Sequence, residues 1–333
     1  MSSTRLSRRP ALRIAALLAL PFALFACASG GDAARGESDP SIEQEFSAND
    51  KLRKEQRERE GQLGNLLKRF DDALEAYQRN LQLGSGADVQ QKVESLESLL
   101  EQESIRFQAK LLMLLGDEQP RPRWIAAAAL GFTGDANVME ALRTRLSDPV
   151  ARVRESAAFG LGQLSVPYTP VAPLERILFE DESLPVRRSA AWALVRLQQA
   201  KAPRAEFVPI WPRLLQGDAL RLDEILALHG LRGIALLGEE RFAPSAEPYL
   251  QHPRALIRQV AIIALARSGR VQDAAAIVPF LSPQESAPNV RLTARKALKH
   301  LTGNKVDHGF DLGAWRAEFG LVEGRSETSG SGR

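Results

Sequence analysis

Over the last two-thirds of the chain, apolar and polar positions follow one pattern that recurs as a block. Its cleanest copy is Asp148-Pro149-Val150-Ala151-Arg152-Val153-Arg154-Glu155-Ser156-Ala157-Ala158-Phe159-Gly160-Leu161-Gly162-Gln163-Leu164. Asp148 and Pro149 suit a helix start, as a capping acid and a residue with a preset helical φ. Arg154, Ala157, Ala158, Leu161 and Leu164 then share one helical face, with small residues where a second helix comes close. Such a helix cannot bury its face alone and needs copies on either side. Aligned on an arginine seven residues before a leucine, six copies appear: Arg123/Leu130, Arg154/Leu161, Arg187/Leu194, Arg221/Leu228, Arg258/Leu265 and Arg291/Leu298. The arginines are 31, 33, 34, 37 and 33 residues apart, a period that marks a helical solenoid. A small residue precedes every leucine: Ala129, Gly160, Ala193, Ala227, Ala264 and Ala297. The fourth copy departs, because Glu224 and Ile225 stand where the others have alanine, and looser packing is expected there.

Partner helices are predicted over 135–146, 171–179, 207–215, 244–250 and 273–281, with Pro173, Pro209, Pro244 and Pro279 in or near their first turns. No segment has the period-two alternation of a strand. The runs Asp148…Val153-Arg154…Ala157-Ala158…Leu161-Gly162…Leu164 and Pro185-Val186-Arg187…Ala190-Ala191…Leu194…Leu197 resemble the HEAT repeat family, particularly its short bacterial form related to phycobilisome-lyase repeats. The resemblance implies an all-α fold over 104–303, a right-handed α-solenoid of about six helix pairs. For activity it implies little beyond a binding scaffold.

The arginines call for a polar partner. Asp117, Asp148 and Asp181 stand six residues before Arg123, Arg154 and Arg187, while His252 and Glu285 hold that place before Arg258 and Arg291. An acid at each helix start and an arginine two turns on predict a structural ladder along the stack; the other reading is a row that binds anions.

Upstream, Leu67, Phe70, Leu74, Tyr77 and Leu81 recur at spacings of 3, 4, 3 and 4, the stripe of an amphipathic helix ending at Gly84-Ser85-Gly86. A second helix over about 87–102 turns Val89, Val93, Leu96, Leu99 and Leu100 inward. The two predict a helical hairpin over 50–103, with a short coiled coil to another chain as the alternative. A further apolar helix, 105–115, leads into the repeats. Residues 28–49 are rich in Gly, Ser, Ala, Asp and Glu and are expected to be an unstructured tether. In 304–322, Leu312, Trp315 and Phe319 describe a capping helix, and 323–333 is a polar tail.

Charge then gives an address. The formal net charge is +3, but Arg5, Arg8, Arg9 and Arg13 all lie within the acid-free residues 1–27; removing those four leaves −1. A near-neutral remainder argues against nucleic acid, which requires clustered cations. The four arginines precede an apolar run, 11–25, too short and broken for a comfortable span. Leu24-Phe25-Ala26-Cys27 resembles the bacterial lipobox, and Cys27 is the sole cysteine. The resemblance implies lipidation of Cys27 and an exported protein held on a bacterial membrane. Ala28 after the cysteine points to the outer membrane.

No nucleophile motif or phosphate loop is present, and His229, His252, His300 and His308 lack metal-ligand spacing, so no catalytic residue, metal or cofactor is expected. More telling are Trp124, Phe159, Trp192, Val195, Leu222, Leu226 and Ile263, which stand one, five or eight residues after the arginines. On a helix those positions oppose the packed face. They predict an apolar groove on the concave surface for a partner protein or peptide of the cell envelope, with Lys296, Lys299 and Arg295 making its far end basic; the alternative is a different helical rotation that packs them against the first helices. The protein is thus read as a non-enzymatic scaffold, monomeric by expectation. The alternatives are a HEAT-like lyase or other small-molecule enzyme, and a structural spacer.

Overall fold

In a computed structural model, residues 40–82 and 86–321 are described, and they are helical with no strand among them. The signal segment 1–27 with Cys27, and the tail 323–333, lie outside them. Chain contacts define two units, Met1–Arg59 and Glu60–Arg333. In the first, the described residues belong to the opening half of a long helix, α1 (Pro40–Gln82). That start corrects the expected tether 28–49, whose last ten residues are helical. Mixed charges one turn apart, such as the Glu55–Arg59 pair at 4.0 Å, favour helix without an apolar stripe.

The second unit holds the rest of α1, then α2 (Ala87–Arg106) and α3 (Gln108–Leu114). The repeats continue as α4 (Pro120–Leu130), α5 (Met139–Arg145), α6 (Ala151–Leu164), α7 (Val171–Glu180), α8 (Leu184–Gln199), α9 (Ile210–Leu214), α10 (Glu224–Leu237), α11 (Ala255–Ser268), α12 (Ala274–Ile277) and α13 (Pro288–Leu301). The terminal helix α14 is Leu312–Glu318. Helices α4, α6, α8, α10, α11 and α13 pack in succession as one layer, and the intervening elements pack behind them. This is an α-solenoid of six pairs. The partners predicted at 244–250 and 273–281 are largely 3-10 turns, because Pro244 sits inside one and Pro279 opens another. At the end of the stack Trp315 is fully buried, its Nε1 donating to the Gly309 carbonyl at 3.1 Å.

Between helices of the layer the backbones nearly touch. A Cβ on Gly160 would stand 2.3 Å from the carbonyl oxygen of Ala127 in α4, which explains the small residue at that position. The same logic corrects the register of the fourth copy. In α4, α6, α8, α11 and α13 the aligning arginine is the fourth helical residue; in α10 that residue is Ala227, not Arg221. Arg221 lies before the helix, 88% exposed at its side chain. The spacing then reads 40 residues into the fourth copy and 31 out of it. The small-residue positions fall on Gly230 and Gly233, and the leucine position on buried Ile234. Packing there is tight: a Cβ on Gly233 would meet the Trp211 ring at 2.2 Å, and one on Gly230 would meet Leu215 at 2.8 Å.

Candidate protein-binding face

Three of the ladder arginines, Arg123, Arg154 and Arg258, reach in two directions. Arg154 donates to both carboxylate oxygens of Asp181 in the next repeat, at 2.7 and 2.9 Å, and its Nη1 donates to the Asp148 and Pro149 carbonyls of its own loop. Arg123 makes the same bonds to Asp148 and to the Asp117 and Glu118 carbonyls. Arg258 does so with Glu285 and with the His252 and Pro253 carbonyls. The acids meanwhile accept from the backbone N–H two residues on, Val150, Ser183 and Ala287. Burial would raise the Asp148 and Asp181 pKa values, but the arginine hydrogen bonds and these N–H groups outweigh it and hold them low.

The ladder is broken in the fourth repeat. Ala227 supplies no arginine, and the acid that it would meet is replaced by His252, whose Nδ1 accepts from Arg254 N–H. Arg187 has no acid ahead of it, since its counterpart position is Arg221, and its buried Nε has no hydrogen-bond partner. Arg188 instead grips Asp223, the N-cap of α10, at 2.9 Å. Arg291 closes the row by donating to the Leu281 carbonyl. A cleft of about 490 Å³ is lined by Asp148, Arg154 and Asp181 of the ladder together with Arg176, Glu180 and Glu182.

The aromatic row lies on the layer's other edge, and much of it is packed. Phe159 is only 7% exposed; it stacks on Trp192 at 5.1 Å and leans on Phe132 at 6.1 Å. Tyr77 of α1 meets Phe132 edge-on at 5.2 Å, and Gln163 donates to Glu97 of α2 at 2.9 Å. Asp71 of α1 pairs with Arg121 at 2.8 Å. The amino-terminal hairpin therefore covers the first half of the expected groove. Burial pushes the Tyr77 hydroxyl up to about 12, with Glu97 adding to the rise and Arg196 opposing it.

The groove residues consequently separate. Phe159 and Val195 are buried, Trp124 and Trp192 are half-buried, and only Ile263 is exposed. Leu226 is buried at the position of Val153 and Val186, beneath the layer, because the register is six residues later than Arg221 implied. Leu222 is half-buried in the loop before α10. Counting five and nine residues from the corrected fourth positions, the face runs Ala128/Phe132, Phe159/Gln163, Trp192/Arg196, Arg232/Leu236, Ile263/Arg267 and Lys296/His300. In the last three pairs every side chain is exposed. Arg232, Arg267 and Lys296 have no ion-pair partner among the described residues, whereas Arg295 and Lys299 are held by Asp307.

Residues 139–205 match the family of HEAT repeats. The rest of the stack repeats that geometry. Solved structures are similar to it at low identity. One is the complex of CpcE and CpcF of phycocyanin lyase from Nostoc, at 19% identity over 63% of this chain and 91% of that one, with a TM-score of 0.44. YibA of Escherichia coli is 19% identical over 62% of this chain and 78% of its own, TM-score 0.47. A designed armadillo repeat protein in complex with a peptide is 19% identical over 58% and 99%, TM-score 0.41. Among curated proteins none matches the chain.

Among the described residues no three His, Cys, Asp or Glu side chains come together as a metal site, and no helix is long and apolar enough to cross a membrane. His308 lies 3.3 Å from Glu318 and edge-on to Trp315 at the end of the stack. His229 is buried with its Nδ1 unpartnered, and burial pulls its pKa down to about 3.

Proposed function

We propose that this protein is a non-enzymatic scaffold that holds a partner protein on the uncovered half of its second-helix face, while lipid at Cys27 keeps it on a bacterial membrane outside the cytoplasm. The observation that carries the reading is the row of unpaired cations over α10, α11 and α13, with exposed aliphatic groups among them on α10 and α11, next to an aromatic half that the chain covers itself. Leu236, 41% exposed, and Ile263, 37% exposed, give that face apolar area beside its cations. The sequence Leu24-Phe25-Ala26-Cys27 supports the anchor.

A photo-crosslinking residue at Ile263 in intact cells tests the scaffold. A discrete protein adduct at Ile263, absent from the same probe at Arg241 behind the layer, supports it; no adduct at Ile263 rejects it. For the anchor, Cys27→Ser should move the protein from the membrane fraction to the soluble one. Retention on the membrane would rule out lipidation as the tether.

A further inference from the structure

We propose that the occupant of the open face is an acidic amphipathic helix of the partner, an inference that rests on the scaffold reading above. Helices α11 and α13 contain no Asp or Glu, and the one acid of α10, Glu224, is engaged by Arg254 at 3.0 Å. Arg258 and Arg295 are tied to carboxylates of this chain, so the free positive charge is that of Arg232, Arg267 and Lys296. Between these cations lie Leu236 and Ile263, giving one face both signs of demand: apolar area to cover and cations to neutralise.

The chain itself shows what this face accepts. Three repeats upstream, Phe132 and Gln163 hold the places of Leu236 and Arg267, and they are covered by helices that bring an aromatic ring, Tyr77, onto Phe132 and a carboxylate, Glu97, onto Gln163. The three free cations sit on three successive helices, and packed helices are about 10 Å apart. Arg267, at the ninth position, stands about one turn (about 6 Å) further along its helix than Arg232 and Lys296 at the fifth, so neighbouring cations are about 12 Å apart. A helix laid across them rises about 1.5 Å per residue and meets a new cation about every seven to eight residues, about two turns later. That spacing fits a helix with acids near i, i+7 and i+14.

The test uses the full chain and three synthetic 21-residue peptides: a leucine-faced helix flanked by glutamates at that spacing, its lysine counterpart, and the glutamate peptide broken by a central proline. Binding is read by fluorescence anisotropy. The glutamate helix should bind, weaken as salt rises, and lose about tenfold or more against the triple variant R232E/R267E/K296E. Circular dichroism of that variant should match the parent, because none of the three side chains has a partner to lose. Equal binding to the triple variant, equal binding of the proline-broken peptide, or binding of phosphatidylglycerol vesicles in place of the peptide would each overturn the inference. If Ile263 crosslinks a protein in cells while no acidic helix binds, the helix falls and the scaffold stands. If the crosslink is absent as well, both fall.

Discussion

The indole of Trp211 fills the space that a side chain at Gly233 would need: a Cβ there would stand 2.2 Å from the ring. Gln198 holds the arrangement together, accepting from Trp211 Nε1 at 2.8 Å and donating to the Gly233 carbonyl at 3.2 Å. Gly→Ala normally favours a helix interior by up to about 1 kcal/mol. At Gly233 it should instead destabilise by about 3 kcal/mol, since neither the ring nor the backbone can give way. Gly64→Ala, where a Cβ meets nothing within 4 Å, should be neutral or stabilising. Urea unfolding of the two variants checks the contrast; a stable Gly233→Ala would refute the close approach.

Removing one side of the ladder should cost more than removing both. Arg154→Ala leaves the nearly buried Asp181 carboxylate without its counterion, with an expected loss of about 3 kcal/mol. Arg154→Met with Asp181→Leu should recover most of that loss, which a double-mutant cycle by chemical denaturation measures directly. Additive losses would mean that the pair is not coupled.

His229 should make the protein acid-sensitive before its carboxylates titrate. Its folded pKa, about 3, lies below the ordinary 6.5, so the unfolded chain takes up a proton that the folded one refuses. Stability from this group is present above about pH 6.5 and is lost progressively as pH falls toward 3, by about 2 kcal/mol at pH 5. The depressed carboxylates Asp148 and Asp181 act in the same direction only below about pH 4. Melting temperatures from pH 7.5 to 4.5 should fall in the parent and stay nearly flat in His229→Leu; parallel curves would exclude His229 as the cause.

Phe159 and Tyr77 should behave as core residues. Phe159→Ala should cost about 3–5 kcal/mol, as buried aromatic truncations do. Tyr77→Ala should release the hairpin first, seen as faster amide hydrogen exchange in α2 while α11 and α13 stay protected. Unchanged exchange in α2 would show that the Tyr77–Phe132 contact does not hold the hairpin down.

The solenoid was legible because its signals are local. A period of 3.6 within each helix, a small residue before each leucine and an acid six residues ahead of Arg123, Arg154, Arg187 and Arg291 all lie within a few turns of chain. The fourth repeat was misread for the same reason: Arg221 and Leu228 keep the spacing by coincidence, while the residues that truly occupy the tight positions, Gly230 and Gly233, depart from the alanine pattern. Only packing against Trp211 and Leu215 identifies them.

What the sequence by itself determined is therefore the helices of the layer and their stacking, since helical periodicity and capping depend on neighbours along the chain. What only the tertiary structure decided is which part of the second-helix face stays open. Phe159 looked like a water-facing anchor because its position on α6 opposes the packed side. It is buried because α1 and α2, more than fifty residues upstream, lay Tyr77 and Glu97 over Phe132 and Gln163. No local pattern records that contact. The burial of a residue depends on everything that comes to lie against it, and the open surface is found at Arg232, Ile263 and Lys296, where nothing in the described chain does.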